Sequence, residues 1–469
     1  MGCNSMKIGV PMSPSMIAIV LTPALIVFLC PDEPAQAVDE YVTPNIIVVM
    51  ADDQGWGDVR YNGHAVLHTP NLDAMAENGL RFDRFYANAS MCSPTRAGTL
   101  TGRNNLRSGI GGPIAHGRGH MPADEITLAE ALRPAGYVSG HFGKWHLGDI
   151  HNNENQKHLL HPGHAGFDHW FSTQNVLPTF NPYQGKFDEN HHYYRNGKYV
   201  PETDAMKGDD SRIVMDGALE FIRSQAKARK PFFAFICFHA MHNPLVMVPQ
   251  YQEHYPDVTD RKQLVYYTNV TAIDTAVGRL RTEMRRLKIA DNTMLWFTSD
   301  NGPLHKQGTG IGSKGPYRGS KGMLYEGGIR VPGLLEWPHV IKQARTVKYM
   351  AVTTDIFPTS LDVVGLKLPD RPYDGTSLRP VIEGKKLKRQ GGVGFGAKGW
   401  RAWQTERFKL LRVKGKESKW ELYDLWDDPY EKNNLASDRP NLVASLAHEI
   451  DAWSQSCKSS QDGKDYGAP

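Results

Sequence analysis

Cys92 stands two residues before Pro94 and four before Arg96 in the run Met91-Cys92-Ser93-Pro94-Thr95-Arg96. Proline suits the first turn of a helix, and a residue four positions on returns to the same face. The spacing predicts a helix that opens near Cys92 with Arg96 above it. A helix N-terminus and a guanidinium both favour a thiolate, so the expectation is an acidic, reactive cysteine. A structural cysteine opening an ordinary helix is the rival reading. A second set is Asp52-Asp53 with Asp300-Asn301. These residues offer only oxygen donors, which suits a hard divalent cation, calcium or magnesium, better than zinc or copper. Capping and turn formation explain most isolated Asp and Asn residues. Two such pairs at two strand ends are harder to explain that way.

Strands must bring these pairs together. Asn45 to Met50 (NIIVVM) is a β-branched apolar run that ends at Asp52-Asp53 and reads as a buried parallel strand. Pro231 to Phe238 and Thr293 to Thr298 read alike, and the second ends at Asp300-Asn301. Helical patterns lie between them, at Thr69 to Glu77, Ile126 to Leu132, Arg212 to Ala226 and Leu264 to Leu287. The alternation predicts an α/β fold with helices on both faces of the sheet. Ligands in such folds sit at the carboxyl ends of the strands, where both Asp pairs fall. Cys237 lies within an apolar run and is expected to be a buried core thiol. Residues 151–200 are rich in His, Asn and aromatics with little periodicity, and read as long loops lining a binding face.

The helix Thr353 to Val364 and the turn Asp374-Gly375 close the large domain, drawn at 38–384. The texture then changes. Val393 to Ala397, Trp400 to Val413 and Trp420 to Leu425 read as antiparallel strands, and Pro440 to Ser456 as a closing amphipathic helix. Residues 385–469 thus form a smaller C-terminal antiparallel sheet plus helix. Trp400, Trp403, Trp420 and Trp426 are expected in its core rather than as a sugar platform.

The chain has 469 residues and a formal net charge of +4, with 54 basic and 50 acidic residues and no long block of either sign. That balance argues against nucleic acid as a partner. Lys7, the apolar stretch Met16 to Leu29 and Ala35-Gln36-Ala37 read as a secretory signal over residues 1–37, and so as export to a periplasm or the outside. The stretch is short for a stable membrane span, and an uncleaved anchor is the alternative. Cys3 and Cys30 fall in that leader. Cys92, Cys237 and Cys457 remain, which is no disulfide framework.

Five blocks add a resemblance. Cys92-Ser93-Pro94-Thr95-Arg96 with Ala97-Gly98-Thr99-Leu100-Thr101-Gly102 resembles the signature of formylglycine-dependent (type I) sulfatases, arylsulfatase-like members of the alkaline phosphatase superfamily. So do Asp52-Asp53-Gln54-Gly55-Trp56-Gly57-Asp58, Gly143-Lys144-Trp145-His146-Leu147-Gly148, Ser299-Asp300-Asn301-Gly302 and Gly322 to Pro332 (GMLYEGGIRVP). They occur in the family's order and spacing, from roughly Asn45 to Ala436. The resemblance implies an alkaline-phosphatase-like fold, which makes the sheet a large mixed, mostly parallel one sandwiched by helices. It implies that Cys92 is oxidised to formylglycine by a formylglycine-generating enzyme. It also implies one divalent cation, usually calcium and otherwise magnesium, at Asp52, Asp53, Asp300 and Asn301. Asp58 is expected to shape a turn and is not named a ligand.

A sulfate monoester is anionic, so its site needs cations around the sulfuryl oxygens and a strong nucleophile. Lys144, Lys321, His146 and His242 are the candidates, with the histidines cationic when protonated. His242 is preferred to His239 because His242-Asn243-Pro244 matches the family's pattern. In the family, a hydroxyl of the hydrated aldehyde attacks sulfur, and an acid, here His242 or Lys321, assists the departing alcohol. His146 takes the proton that lets sulfate leave, and Arg96 orients the formylglycine. Tyr325 and Glu326 are expected to shape a turn. The sequons at Asn88 and Asn269 are expected to go unused.

The implied activity is hydrolysis of sulfate esters, of a sulfated polysaccharide, its fragments or an aryl sulfate. The loops around 151–200 and 303–320 are expected to select the alcohol. Two other readings stand beside it. One is a phosphonate monoester or phosphodiester hydrolase of the same fold. The other is a catalytically silent protein that binds sulfated glycans.

Overall fold

A computed structural model describes residues 43–115, 119–150, 160–184, 191–304, 311–397, 399–413 and 419–465. The expected signal at 1–37, with Cys3 and Cys30, lies outside the described residues, as do 151–159, 185–190 and 305–310 of the two selecting loops. The strands of the first half are β1 (Asn45–Ala51), β2 (Leu80–Phe82), β3 (Phe85–Tyr86), β4 (Val138–Lys144), β5 (His169–Thr173), β6 (Tyr194–Arg195), β7 (Lys198–Tyr199) and β8 (Phe232–Cys237). Then come β9 (Thr293–Ser299), β10 (Gly333–Glu336), β11 (Arg345–Val347), β12 (Ala351–Val352), β13 (Val393–Ala397), β14 (Trp400–Gln404), β15 (Phe408–Arg412) and β16 (Trp420–Asp424).

Among the described residues, ten strands form one sheet in the order β11-β2-β10-β9-β1-β8-β4-β5-β6-β7. β1 pairs in parallel with β8 and with β9, Val48 opposite both Phe235 and Trp296. Its side chains divide between two cores: Ile46, Val48 and Met50 face one, Ile47, Val49 and Ala51 the other. A strand covered on both faces has to be apolar throughout, which is why NIIVVMA shows no alternation.

Helices cover both faces. α1 (Pro70–Asn78), α4 (Asp210–Ala228) and α5 (Arg261–Arg286) contribute to the second core. α2 (Cys92–Thr101), α3 (Leu128–Leu132) and α7 (Ile356–Val364) contribute to the first. Between α3 and α7 in sequence lies the one-turn α6 (Glu326–Ile329), and α8 (Arg379–Ile382) follows α7. No helix among the described residues is long and apolar enough to cross a membrane.

The expected loops of 151–200 need correction where they are described. β5 extends the sheet in parallel with β4, Phe171 opposite Phe142, and β6 and β7 add antiparallel strands beyond it. Pairing to an existing sheet edge outweighed weak periodicity there. The run Trp400 to Val413 breaks at Thr405 into β14 and β15, whose meander with β13 and β16 makes a four-stranded antiparallel sheet. α9 (Pro440–Gln461) closes on it through Leu446 and Ile450 against Leu410 and Leu422. The aromatic core expected here holds in part: Trp400, Trp403 and Trp420 are half-buried and pack against the buried clusters of this region, whereas Trp426 is 50% exposed, which corrects that one residue.

Candidate active site

Four adjacent strands, β9, β1, β8 and β4, end side by side. Asp52 and Asp53 follow β1, Asp300 and Asn301 follow β9, Lys144 ends β4 with His146 just beyond, and His239 and His242 follow β8. Gly143 makes the β4 end possible. Its φ is 88°, and a Cβ there would lie 2.0 Å from the Cys237 carbonyl oxygen. α2 starts at Cys92 and stops at Gly102, where φ is 69°.

Arg96 ties α2 to two of these ends. It is fully buried, donates from Nε and Nη2 to Asp300 Oδ2 at 3.1 and 2.8 Å, and from Nη1 to the Lys144 carbonyl at 2.9 Å. Lys144 Nζ lies 2.5 Å from Asp52 Oδ2, and Lys321 Nζ 2.5 Å from Asp53 Oδ1. Asp53 Oδ1 also accepts from Asn301 Nδ2 at 2.7 Å, and the Asp53 amide donates to Asp300 Oδ1 at 3.2 Å. The chain thus gathers Cys92, Arg96, Lys144, Lys321, Asp52, Asp53, Asp300 and Asn301 in one place.

Three buried oxygens in this group, Asp52 Oδ1, Asp53 Oδ2 and Asn301 Oδ1, accept no hydrogen bond among the described residues. A buried acceptor without a donor is costly. Three together, two of them carboxylate oxygens, fit a hard cation. One ligand atom each from Asp52, Asp53 and His242 lie within 4.8 Å of one another, which adds a nitrogen to the expected oxygens.

Charge is closely balanced. Burial opposes ionisation of Asp52, but Lys144, His242, Arg96 and Lys321 hold its carboxyl well below the usual range. Burial and Asp52 push Asp300 up to about 7, against Arg96 and Lys144. Burial opposes the charge on Lys321, yet Asp53 raises it above the usual lysine value. Burial and Lys144 lower His146 far below its usual value, and burial lowers His242 too, so the cationic form expected of the histidines is not favoured. The acidic cysteine is also corrected. Burial raises the Cys92 thiol, with Asp52 and Asp300 adding to it, and Lys144 and Lys321 do not offset them.

Two site residues hold left-handed backbones without being glycine, Asp53 at φ 61° and His146 at φ 56°. Such conformations persist where the surroundings over-determine them, and they cluster at working sites. His239 is fully buried, with Nδ1 2.6 Å from Asp210 Oδ2 and Nε2 2.6 Å from Thr173 Oγ1. It braces β8 against α4 and β5, whereas His242 is the histidine near the carboxylates. The Asn88 and Asn269 side chains are buried.

The sulfatase family profile matches residues 44–366, and that of the N-sulphoglucosamine sulphohydrolase C-terminal region matches 319–455. The chain belongs to the sulfatase family. N-acetylgalactosamine-6-sulfatase of Canis lupus familiaris is 36% identical over 363 residues, 73% of this chain and 67% of that protein. Arylsulfatase G of Mus musculus is 34% identical over 382 residues, 73% of this chain and 69% of that one. A crystal structure of Ps i-CgsB in complex with k-i-k-neocarrahexaose has a TM-score of 0.79 at 26% identity, covering 88% of this chain and 93% of that one. This sulfatase hydrolyses sulfate esters, and its fold is the one the resemblance implies.

The sulfatase also contains an ionic hub that no sequence signal marked. Glu326, expected only to shape a turn, begins α6 fully buried and accepts from Lys409 Nζ at 2.6 Å, Tyr86 Oη at 2.9 Å and Arg330 Nη1 at 3.2 Å. Lys409 reaches Glu431 Oε1 at 2.9 Å, and Glu431 Oε2 accepts the Glu326 amide at 2.7 Å. The C-terminal sheet thereby pins the segment that carries Lys321. At its other end, that segment is held by Gly322 N to the Ser90 carbonyl at 2.8 Å. Lys409 looked like an ordinary strand lysine, because its partners lie 83 and 22 residues away.

Asp58 performs the structural role expected of it. Oδ2 accepts from Gly55 N at 2.8 Å and Tyr266 Oη at 2.6 Å, and Oδ1 accepts from Ser313 N at 2.7 Å. Burial pushes its carboxyl from 3.8 up to about 7, with these hydrogen bonds opposing. The folded state therefore holds the Asp58 proton more tightly than the unfolded state does. That stabilisation is fully present below 3.8 and is lost as pH rises through about 7. Relative to Asp58→Asn, the parent should lose unfolding free energy as pH is raised across that window. Urea titrations at several pH values measure it, and parallel pH profiles would contradict it.

Proposed function

We propose that this sulfatase removes sulfate from a carbohydrate, using a formylglycine formed from Cys92 and one Ca2+ ion, with Mg2+ as the alternative. The observation that carries the reading is the junction at Arg96. One buried guanidinium joins the helix that starts at Cys92 to Asp300 and the Lys144 carbonyl, beside three oxygens that lack donors. Asp52, Asp53, Asp300 and Asn301 would hold the cation, with His242 at its edge. A divalent cation there favours the deprotonated form of an attacking hydroxyl and neutralises charge on the sulfuryl group. The names of the relatives, an N-acetylgalactosamine-6-sulfatase and a structure in complex with k-i-k-neocarrahexaose, support a carbohydrate substrate.

The residues divide the remaining work. Arg96 holds the start of α2 in register with Asp300. Lys144 and Lys321 supply positive charge to the sulfuryl oxygens. His242 Nδ1 faces the Asn243 carbonyl at 2.6 Å, which places its proton on Nδ1 and leaves Nε2 as an acceptor. Lys321 is then the better donor to the departing alcohol oxygen. His146 Nδ1 is buried without a hydrogen bond among the described residues and serves as the proton acceptor in the step that frees sulfate. Residues 1–37 act as an export signal, 38–384 as the catalytic domain and 385–469 as the small domain in this reading.

Three carboxylates, Asp52, Asp53 and Asp300, face three cations, Arg96, Lys144 and Lys321. A divalent ion leaves a surplus of about two charges, of which the attacking oxygen uses one. What remains matches a singly charged sulfate ester better than a phosphate monoester, which carries nearly two charges. Catalytic efficiency on nitrophenyl sulfate, nitrophenyl phosphate and a phenylphosphonate ester tests this. The parent should prefer sulfate, and Lys321→Ala should lower kcat by about tenfold or more. A parent that is slow on every sulfate ester, sugars included, and fast on the phosphonate would overturn the reading.

A further inference from the structure

A second cleft of about 780 Å3 opens where the large sheet meets the C-terminal one. Seven cationic side chains line it against two carboxylates, Asp83 and Glu406. Asp83 already faces Arg330, and Glu406 faces Arg84 at 2.9 Å. Lys348, Lys385, Lys386 and Lys388 are exposed, and Lys348, Lys386 and Lys388 have no carboxylate within 4.0 Å among the described residues. The formal charge of the whole chain is only +4, so this concentration is local.

Trp426 stands at the same cleft, 50% exposed, its Nε1 donating to the Glu406 carbonyl at 2.8 Å. Lys388 Nζ and the Arg407 guanidinium each lie 5.3 Å from its ring centroid. Arg407 is already paired with Asp424 and Asp427 at 2.6 and 2.9 Å, so the half-exposed indole offers an apolar surface to the C–H groups of a sugar while Lys388 beside it supplies the charge.

The cleft lies on the catalytic end of the sheet. β2 and β11 run parallel to β1 and β9, so Asp83-Arg84 and Lys348-Tyr349 emerge at the same end as Asp52 and Asp300. β2 is three strand positions from β1, about 14 Å at the usual strand spacing. Tyr317 and Arg330 line the cleft. Tyr317 packs edge-on to Trp56 at 5.1 Å, and Arg330 lies 4.3 Å from the Tyr317 ring centroid.

We infer that this cleft is an exosite that binds a distant, sulfated part of a polyanionic glycan while one sulfate group occupies the active site. The inference rests on the carbohydrate reading of the substrate. A nucleic acid would also be drawn to the charge, but a cleft at the same end of the sheet as the sulfate-processing residues favours a sulfated glycan. The binding free energy comes from several exposed ion pairs, each small, and falls with salt.

The test compares the full-length parent with Lys386→Glu/Lys388→Glu and with Trp426→Ala. Titration calorimetry with a heparin oligosaccharide, elution from a heparin column and turnover of nitrophenyl sulfate are measured on each. The dissociation constant for heparin should rise about tenfold in the double variant, and elution should shift to lower salt. Turnover of nitrophenyl sulfate, which is too short to reach the cleft, should stay within about twofold. Loss of heparin binding in the variants supports the exosite even if no polymer tested proves to be a substrate. Unchanged heparin binding overturns it even if the parent desulfates every polymer tested. A DNA duplex that displaces heparin from the parent at equal charge concentration would overturn the glycan assignment.

Discussion

Cys92→Ala is expected to lower sulfate ester turnover by roughly 10^4-fold or more, the scale seen when a covalent nucleophile is removed. The fold should survive. Cys92 is 1% exposed at the start of α2, and alanine removes one sulfur from a position whose surroundings are held by other bonds. Arg96 still reaches Asp300 and the Lys144 carbonyl, and Lys144 still reaches Asp52. The raised thiol pKa makes the unmodified side chain a poor thiolate nucleophile, so activity should follow its conversion to an aldehyde. Peptide mass spectrometry of active enzyme should find the Cys92 peptide without its sulfur and with an added carbonyl oxygen. Fully active enzyme that carries only an alkylatable thiol at Cys92 would end the formylglycine mechanism. Thermal unfolding of the variant, unchanged within a few degrees, separates lost chemistry from lost structure.

Removing the cation should have the next largest effect, about 10^3-fold, with recovery on adding calcium or magnesium after chelation. Asp53→Asn is the informative variant. The amide oxygen can keep the contacts that Asp53 Oδ1 makes with Lys321 and Asn301, at 2.5 and 2.7 Å. The amide nitrogen then replaces Oδ2, the atom with no donor, and turns a ligand into a hydrogen-bond donor. Elemental analysis should find one ion per parent chain and a deficit in the variant. Asp53→Asn that stays fully active in chelated buffer would show that the cation is held elsewhere or not required.

Much of the fold was legible because the decisive strands are covered on both faces. β1, β8 and β9 are buried on both faces, so each stands out as a nearly unbroken apolar run, and β1 and β9 are followed by Asp52 and Asp300. The helix at Cys92 was legible because proline and glycine mark its two ends. β5 was not, since a short half-polar strand forms only when β4 offers an open edge.

For the site, the sequence by itself determined the residue types: the oxygen pairs at two strand ends, the Cys-x-Pro-x-Arg turn, and the Lys and His blocks. Only the tertiary structure decided how they pair. Lys144 meets Asp52 across 92 residues because strand order sets the ends of β4 and β1 near one another, and Lys321 meets Asp53 across 268 because contacts to Ser90 and Lys409 hold its segment in place. Burial also reversed two local inferences. Helix position and Arg96 argue for an acidic Cys92, yet desolvation in a nearly closed site raises it. The tryptophans near the C-terminus suggest a core, yet Trp426 lies half exposed beside a basic cleft. Spacing along a chain encodes local geometry. Solvation and long-range charge pairing depend on what the rest of the fold places alongside, and no local pattern records that.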